Sequence, residues 1–177
     1  AGAVVVLATQ PTGGVRRKQE QYLYWSRDGE SFTARPDPVI ANPDADGAVT
    51  PEQIGNAEWF RDPKVVWDDA RSQWVCVIGR RKYLSVYVSG NLIDWSWASN
   101  FDYLVDGAAD LGGMECPDLF RITADDGGEH WVIAASMDGS ASGLPMTYAY
   151  WVGRWDGARF TAHDPAPQWL DWGWDWY

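Results

Sequence analysis

The chain has 177 residues, 14 of them Lys or Arg against 25 Asp or Glu, for a formal net charge of −11. That length suits one ordinary domain with enough core to fold without disulfide staples, and the sign of the charge excludes a phosphate backbone or an anionic membrane as a default partner. No apolar run approaches the roughly 20 residues of a membrane span, and two cysteines with two histidines supply neither a disulfide framework nor an imidazole-based metal centre.

Short runs rich in Val, Ile, Trp and Tyr follow one another, separated by Asp-Gly, Gly-Gly and Asn, with almost no helix-period pattern. This is the mark of consecutive antiparallel strands and hairpins, and it predicts an all-β fold. The first strand is expected at 4–9, with no basic segment ahead of it of the kind a secretory leader shows. The second is expected at 21–26, followed by a long Pro/Asp-rich loop at 35–51. Further strands are expected at 64–67, 74–79, 84–89, 119–122, 131–136 and 147–153. Cys76 lies within the apolar run Trp74-Val75-Cys76-Val77-Ile78 and reads as a buried thiol.

The segments also repeat. Tyr24, Tyr87 and Tyr150 are spaced evenly, since 87 − 24 = 63 and 150 − 87 = 63. Each lies in a strand that follows an apolar strand and precedes a turn, and each turn leads to an outer aromatic residue, Phe32, Trp95 or Phe160. Units of this kind suggest blades of a β-propeller. Because 177/63 is about 2.8, the chain is expected to cover about three blades within one domain spanning 1–177, with no internal boundary. The open edges of such an arc need further blades or a partner chain. The composition adds 13 Trp, 8 Tyr and 5 Phe. Indole faces either wedge sheets together or stack on sugar rings.

Two acid-centred motifs precede inner strands of successive repeats, Trp59-Phe60-Arg61-Asp62-Pro63-Lys64-Val65 and Gly112-Gly113-Met114-Glu115-Cys116-Pro117-Asp118-Leu119-Phe120. In a propeller such positions rim one mouth of the channel, so Asp62 and Glu115 are expected to occupy equivalent places and face one pocket. Paired carboxylates suit glycoside cleavage, one protonated to assist the leaving oxygen and one ionised. Arg61 is expected to keep Asp62 ionised, and apolar walls to favour the protonated form of Glu115.

Arg61-Asp62-Pro63 and Glu115-Cys116-Pro117-Asp118 resemble the Arg-Asp-Pro and Glu-Cys motifs of glycoside hydrolase family 32, the invertase, levanase and inulinase group. Gln19-Glu20-Gln21 leading into Tyr24-Trp25-Ser26-Arg27-Asp28-Gly29, the Asn91-Leu92-Ile93-Asp94-Trp95 turn, and Trp169-Leu170-Asp171-Trp172-Gly173 are similar to the family pattern too. The resemblance implies a five-bladed propeller that cleaves β-fructofuranosidic bonds in sucrose, inulin or levan. It implies Glu115 as general acid/base, Asp62 as transition-state stabiliser, Arg61 as a residue that binds fructose and tunes the acid, and Cys116 as a member of the substrate-binding set that supports the position of Glu115. Ser136-Met137-Asp138 looks like a sucrose-binding Ser-Leu-Asp segment, which adds Asp138 to the substrate-binding candidates, but Ala141 stands where a basic residue is expected.

The resemblance also implies a nucleophilic Asp in a Trp-Met-Asn-Asp-Pro-Asn-Gly type motif. None occurs in these residues, and Asn42-Pro43-Asp44 has the wrong order. The chain alone is therefore expected to lack the covalent step of a retaining mechanism. A non-catalytic fructan-binding fragment and a fructosyltransferase are the alternatives. No cofactor or metal is implied, and secretion suits an enzyme acting on polymeric fructan, although no signal peptide is present to show it.

Overall fold

The computed structural model describes residues 2–12, 18–44, 48, 50–104, 109–144 and 146–173. Three antiparallel sheets stand side by side. The first has the order β1-β2-β3, formed by Val4–Thr12, Lys18–Ser26 and Thr33–Ala34. The second runs β4-β5-β6-β7, Phe60–Asp68, Gln73–Arg80, Leu84–Ser89 and Trp95–Phe101. The third runs β8-β9-β10-β11, Met114–Thr123, Glu129–Asp138, Met146–Trp155 and Phe160–Ala162, with β12 (Gln168–Trp169) also on β10. Strands succeed one another across each sheet as in the blades of a propeller, and the open sheets are consistent with part of one.

Two apolar seams join the sheets. β5 is buried on both faces, as a central strand with a continuous apolar run should be. Its Cys76 and Ile78 pack with Ile40, Phe60 and Tyr87 toward the first sheet, where Leu7 meets them. Its Val75 and Val77 pack with Leu119, Ile133, Ala135, Ala149 and Trp151 toward the third. Burial pushes the Cys76 thiol far above its ordinary range, in line with an inert core residue.

The equal tyrosine spacing does not survive as a structural repeat. Tyr24, Tyr87 and Tyr150 do lie on corresponding strands, each bordered by the outermost strand of its sheet. Tyr87 looks back to the first sheet, edge-on to Phe60, and Tyr24, on the face opposite Leu23, looks back as well. Tyr150 lies between Ala149 and Trp151, which both face the second sheet, so alternation along the strand turns it the other way. What recurs is the turn after that strand. The side-chain oxygen of Asp28 accepts from the N–H groups of Glu30 and Ser31, that of Asn91 from Ile93 and Asp94, and that of Asp156 from Ala158 and Arg159. Those backbone donors, Ser31 first, hold the Asp28 carboxyl down to about 2.

One helix, α1 (Pro51–Glu58), was not expected from the sequence. Its signal is local and not periodic. Thr50 Oγ1 accepts from Gln53 N at 3.2 Å while the Gln53 side chain accepts from Thr50 N at 3.0 Å. This is a capping box with proline in the first turn, and it ends the predicted loop. Within that loop, Ile40 bridges to Gln21.

Gly79 sets the spacing of the second and third sheets. A Cβ there would lie 2.5 Å from Met114 O and 3.2 Å from Arg61 O, both backbone atoms at the starts of β8 and β4. Gly79→Ala is expected to destabilise the protein by about 1–3 kcal/mol through overpacking. An unchanged urea midpoint would show that the two strands part at no cost.

Candidate active site

Each acid-centred motif lies inside an innermost strand and not ahead of it, and each breaks its ladder in the same way. The β4–β5 register jumps between Arg61 and Lys64, and the β8–β9 register between Glu115 and Asp118. Proline at 63 and 117 cannot donate to a ladder, so a bulge forms at both places. At each bulge a non-glycine residue takes the left-handed conformation, Asp62 at φ 61° and Cys116 at φ 44°, an uncommon state that the surrounding structure has to hold in place.

The bulges correct the sequence-based pairing of the acids. Asp62 is the structural counterpart of Cys116, and the counterpart of Glu115 is Arg61. Both pairs share one offset, 116 − 62 = 54 and 115 − 61 = 54. Counterparts also bind one another across the gap between β4 and β8. The Arg61 guanidinium pairs with Glu115 Oε1, Cys116 N donates to Asp62 Oδ2 at 2.9 Å, and Lys64 Nζ lies 3.1 Å from the Asp118 carboxylate. Asp62 and Glu115 are therefore brought to one guanidinium, that of Arg61, from unlike positions of neighbouring blades.

Arg61 reaches both acids. Its guanidinium contacts Glu115 and is 4.0 Å from Asp62 Oδ2, so a cation stands beside Glu115 where apolar walls were expected. The reason is packing. The guanidinium sits 4.0 Å above the Trp59 ring, and that ring lies so close to Gly113 that a Cβ there would come within 2.0 Å of Trp59 Cζ2. Trp59 thus carries Arg61 across to β8. The side chains of Arg61, Asp62 and Glu115 remain 24%, 32% and 26% exposed, which leaves them reachable from solvent.

Cys116 is exposed, and besides its N–H bond to Asp62 its carbonyl accepts from Tyr148 Oη at 2.8 Å. Burial pushes the Tyr148 hydroxyl well above its usual value, so it stays a donor. Asp138 closes β9 at the same end of the third sheet, where a Cβ on Gly112 would lie 2.9 Å from Asp138 O. Its carboxylate accepts from Ser140, which holds its pKa down, and it does not join the Arg61 group. Asp44 pairs instead with the buried Arg80.

Residues outside the nominated set complete the site. Besides Trp59 and Tyr148, Thr9 Oγ1 accepts from Asp62 N at 3.2 Å and donates to Gln21 Oε1 at 2.8 Å, and Gln21 Nε2 donates to Phe60 O at 2.6 Å. Nothing in the spacing of Thr9 or Gln21 pointed to Asp62. Lys64 and Asp118 could have been found, as opposite charges at matching places in the two motifs.

Three adjoining sheets, with carboxylates from two of them, on β4 and β8, gathered around one guanidinium, define the molecule as part of a β-propeller. The family model of the glycosyl hydrolases family 32 N-terminal domain matches residues 1–177, and the chain belongs to that family. It is 42% identical over 177 residues to a levanbiose-producing levanase of Geobacillus stearothermophilus, with 99% of this chain and 40% of the relative covered. It is 42% identical to a levanbiose-producing levanase of Bacillus subtilis, with 99% of this chain and 31% of the relative covered. Among solved structures, exo-inulinase from Aspergillus awamori superposes with a TM-score of 0.77 at 29% identity, covering 97% of this chain and 36% of that one. The chain thus spans well under half the length of these relatives.

Proposed function

We propose that these residues form part of one propeller domain, without an internal boundary, of a retaining hydrolase that cleaves β-fructofuranosidic bonds, with levan as its foremost substrate. The convergence of Asp62 and Glu115 on Arg61 carries the reading, because glycoside cleavage needs two carboxylates with different duties in one place. The two relatives at 42% identity are named for levan, which favours it over inulin and sucrose.

In this reading Glu115 delivers its proton to the glycosidic oxygen as the bond to the fructosyl carbon breaks, and later takes a proton from the incoming water. Asp62 accepts hydrogen bonds from fructosyl hydroxyls and opposes the positive charge that develops on the ring. Arg61 holds the two carboxylates together, and the Cys116 N–H anchors one of them while its own residue follows Glu115. Asp138, at the end of β9, reaches the substrate from the rim. The covalent step falls to an aspartate outside the residues assigned here, and further blades or a partner chain close the ring.

The test is product analysis of the complete protein with levan, inulin and sucrose. Release of a fructose disaccharide or of fructose, fastest from levan, is the expected outcome. Binding of levan without release of sugar would instead mark a fructan-binding protein, and longer oligofructans accumulating from sucrose would mark a transferase.

A further inference from the structure

We propose that Thr9 and Gln21, on the first sheet, are positioning residues for Asp62. The inference rests on the reading of Asp62 as transition-state stabiliser. The bulge in β4 removes Asp62 from the ladder with β5, and the left-handed φ of 61° must be held by something other than that ladder. Thr9 and Gln21 are direct cross-strand partners in β1 and β2, and together they grip the chain on either side of Arg61, where the bulge begins.

Chemistry permits only one direction for this grip. The Phe60 carbonyl can only accept, so Gln21 must present its amide NH2 to it, at 2.6 Å, and keep its oxygen for Thr9. The Asp62 N–H can only donate, so Thr9 Oγ1 must accept from it, at 3.2 Å, and its single hydrogen goes to Gln21 Oε1 at 2.8 Å. The hydrogen bonds close a ring through Phe60, Gln21, Thr9 and Asp62. Gln21 is fully buried, so its partners cannot be replaced cheaply by solvent. The far end of Asp62, its carboxylate, is tied to Cys116 N beside Glu115. The ring therefore sets where the Asp62 carboxylate stands relative to Glu115.

Valine matches threonine in shape but lacks the hydroxyl. In the complete protein, Thr9→Val is expected to lower kcat on levan by about 10- to 100-fold, as a displacement near 1 Å does, with KM changed less than about twofold. Thr9→Ser, which keeps the hydroxyl, should restore kcat to within a few-fold of wild type. Melting temperature and near-ultraviolet circular dichroism of each variant report folding, and if Thr9→Val does not fold, Thr9→Ala is read by the same criterion. Wild-type kcat in a folded variant lacking the hydroxyl, beside an inactive Asp62→Asn, overturns the inference alone. So does a serine variant that is as impaired as the valine one. Full activity of Asp62→Asn overturns the reading of Asp62 beneath it.

Discussion

In the complete protein, Glu115→Ala should lower kcat/KM on levan or sucrose by about 10²–10⁴-fold while largely sparing kcat/KM on an activated aryl fructoside, because positioned proton donation contributes on that order to the bond-breaking step. A sugar leaving group departs as an alkoxide unless it is protonated, whereas an activated phenolate leaves unaided. Losing the acid therefore costs most where the leaving group is poorest. The structure gives this substitution a second consequence. Glu115 pairs with Arg61, and its removal leaves the guanidinium 4.0 Å from Asp62 as the nearest remaining ion pair. Arg61 stays over Trp59, so the fold should persist, and melting temperatures check this. The measurement is kcat/KM on both substrates, since kcat also contains the later step in which Glu115 takes a proton from water whatever group has left. Equal losses would mean that Glu115 is not the proton donor.

Asp62→Asn should lower kcat by about 10²–10³-fold on both substrates alike, the scale of one preorganised electrostatic contact. Asparagine keeps the shape of aspartate and an oxygen to accept from Cys116 N, now at 2.9 Å from Asp62 Oδ2, so the bridge between β4 and β8 survives. What disappears is negative charge facing a developing cation, which matters whatever group departs. A loss confined to levan and sucrose, with the aryl fructoside spared, would exchange the roles of the two acids.

Some of this was legible in the residues alone. Alternating and continuous apolar runs with Asp-Gly and Asn turns establish β-strands, because side-chain periodicity and turn chemistry are local. The runs around 74–79 and 84–89 became β5 and β6 with at most one residue of change at either end. The two Pro-flanked motifs marked where β4 and β8 bulge and where Arg61, Asp62 and Glu115 come together, since proline cannot donate to a ladder. The even tyrosine spacing misled, however: parity along β10 turns Tyr150 away from the face that Tyr87 uses, and one residue of register reverses a face. Helix α1 was overlooked because it is held by a cap at Thr50 and Gln53 and not by a periodic apolar face.

Tertiary structure alone decided which residues meet. Two bulges, each at a proline, align Asp62 with Cys116 and Arg61 with Glu115, but that these counterparts bind one another across the gap between β4 and β8 follows only from the packing of the two sheets. It also brought Thr9 and Gln21 to Asp62 from another sheet. Local sequence specifies strands and turns through propensities and periodicity. Contacts between blades depend on register, bulges and the way side chains fill the seam, and these exist only once the sheets have packed.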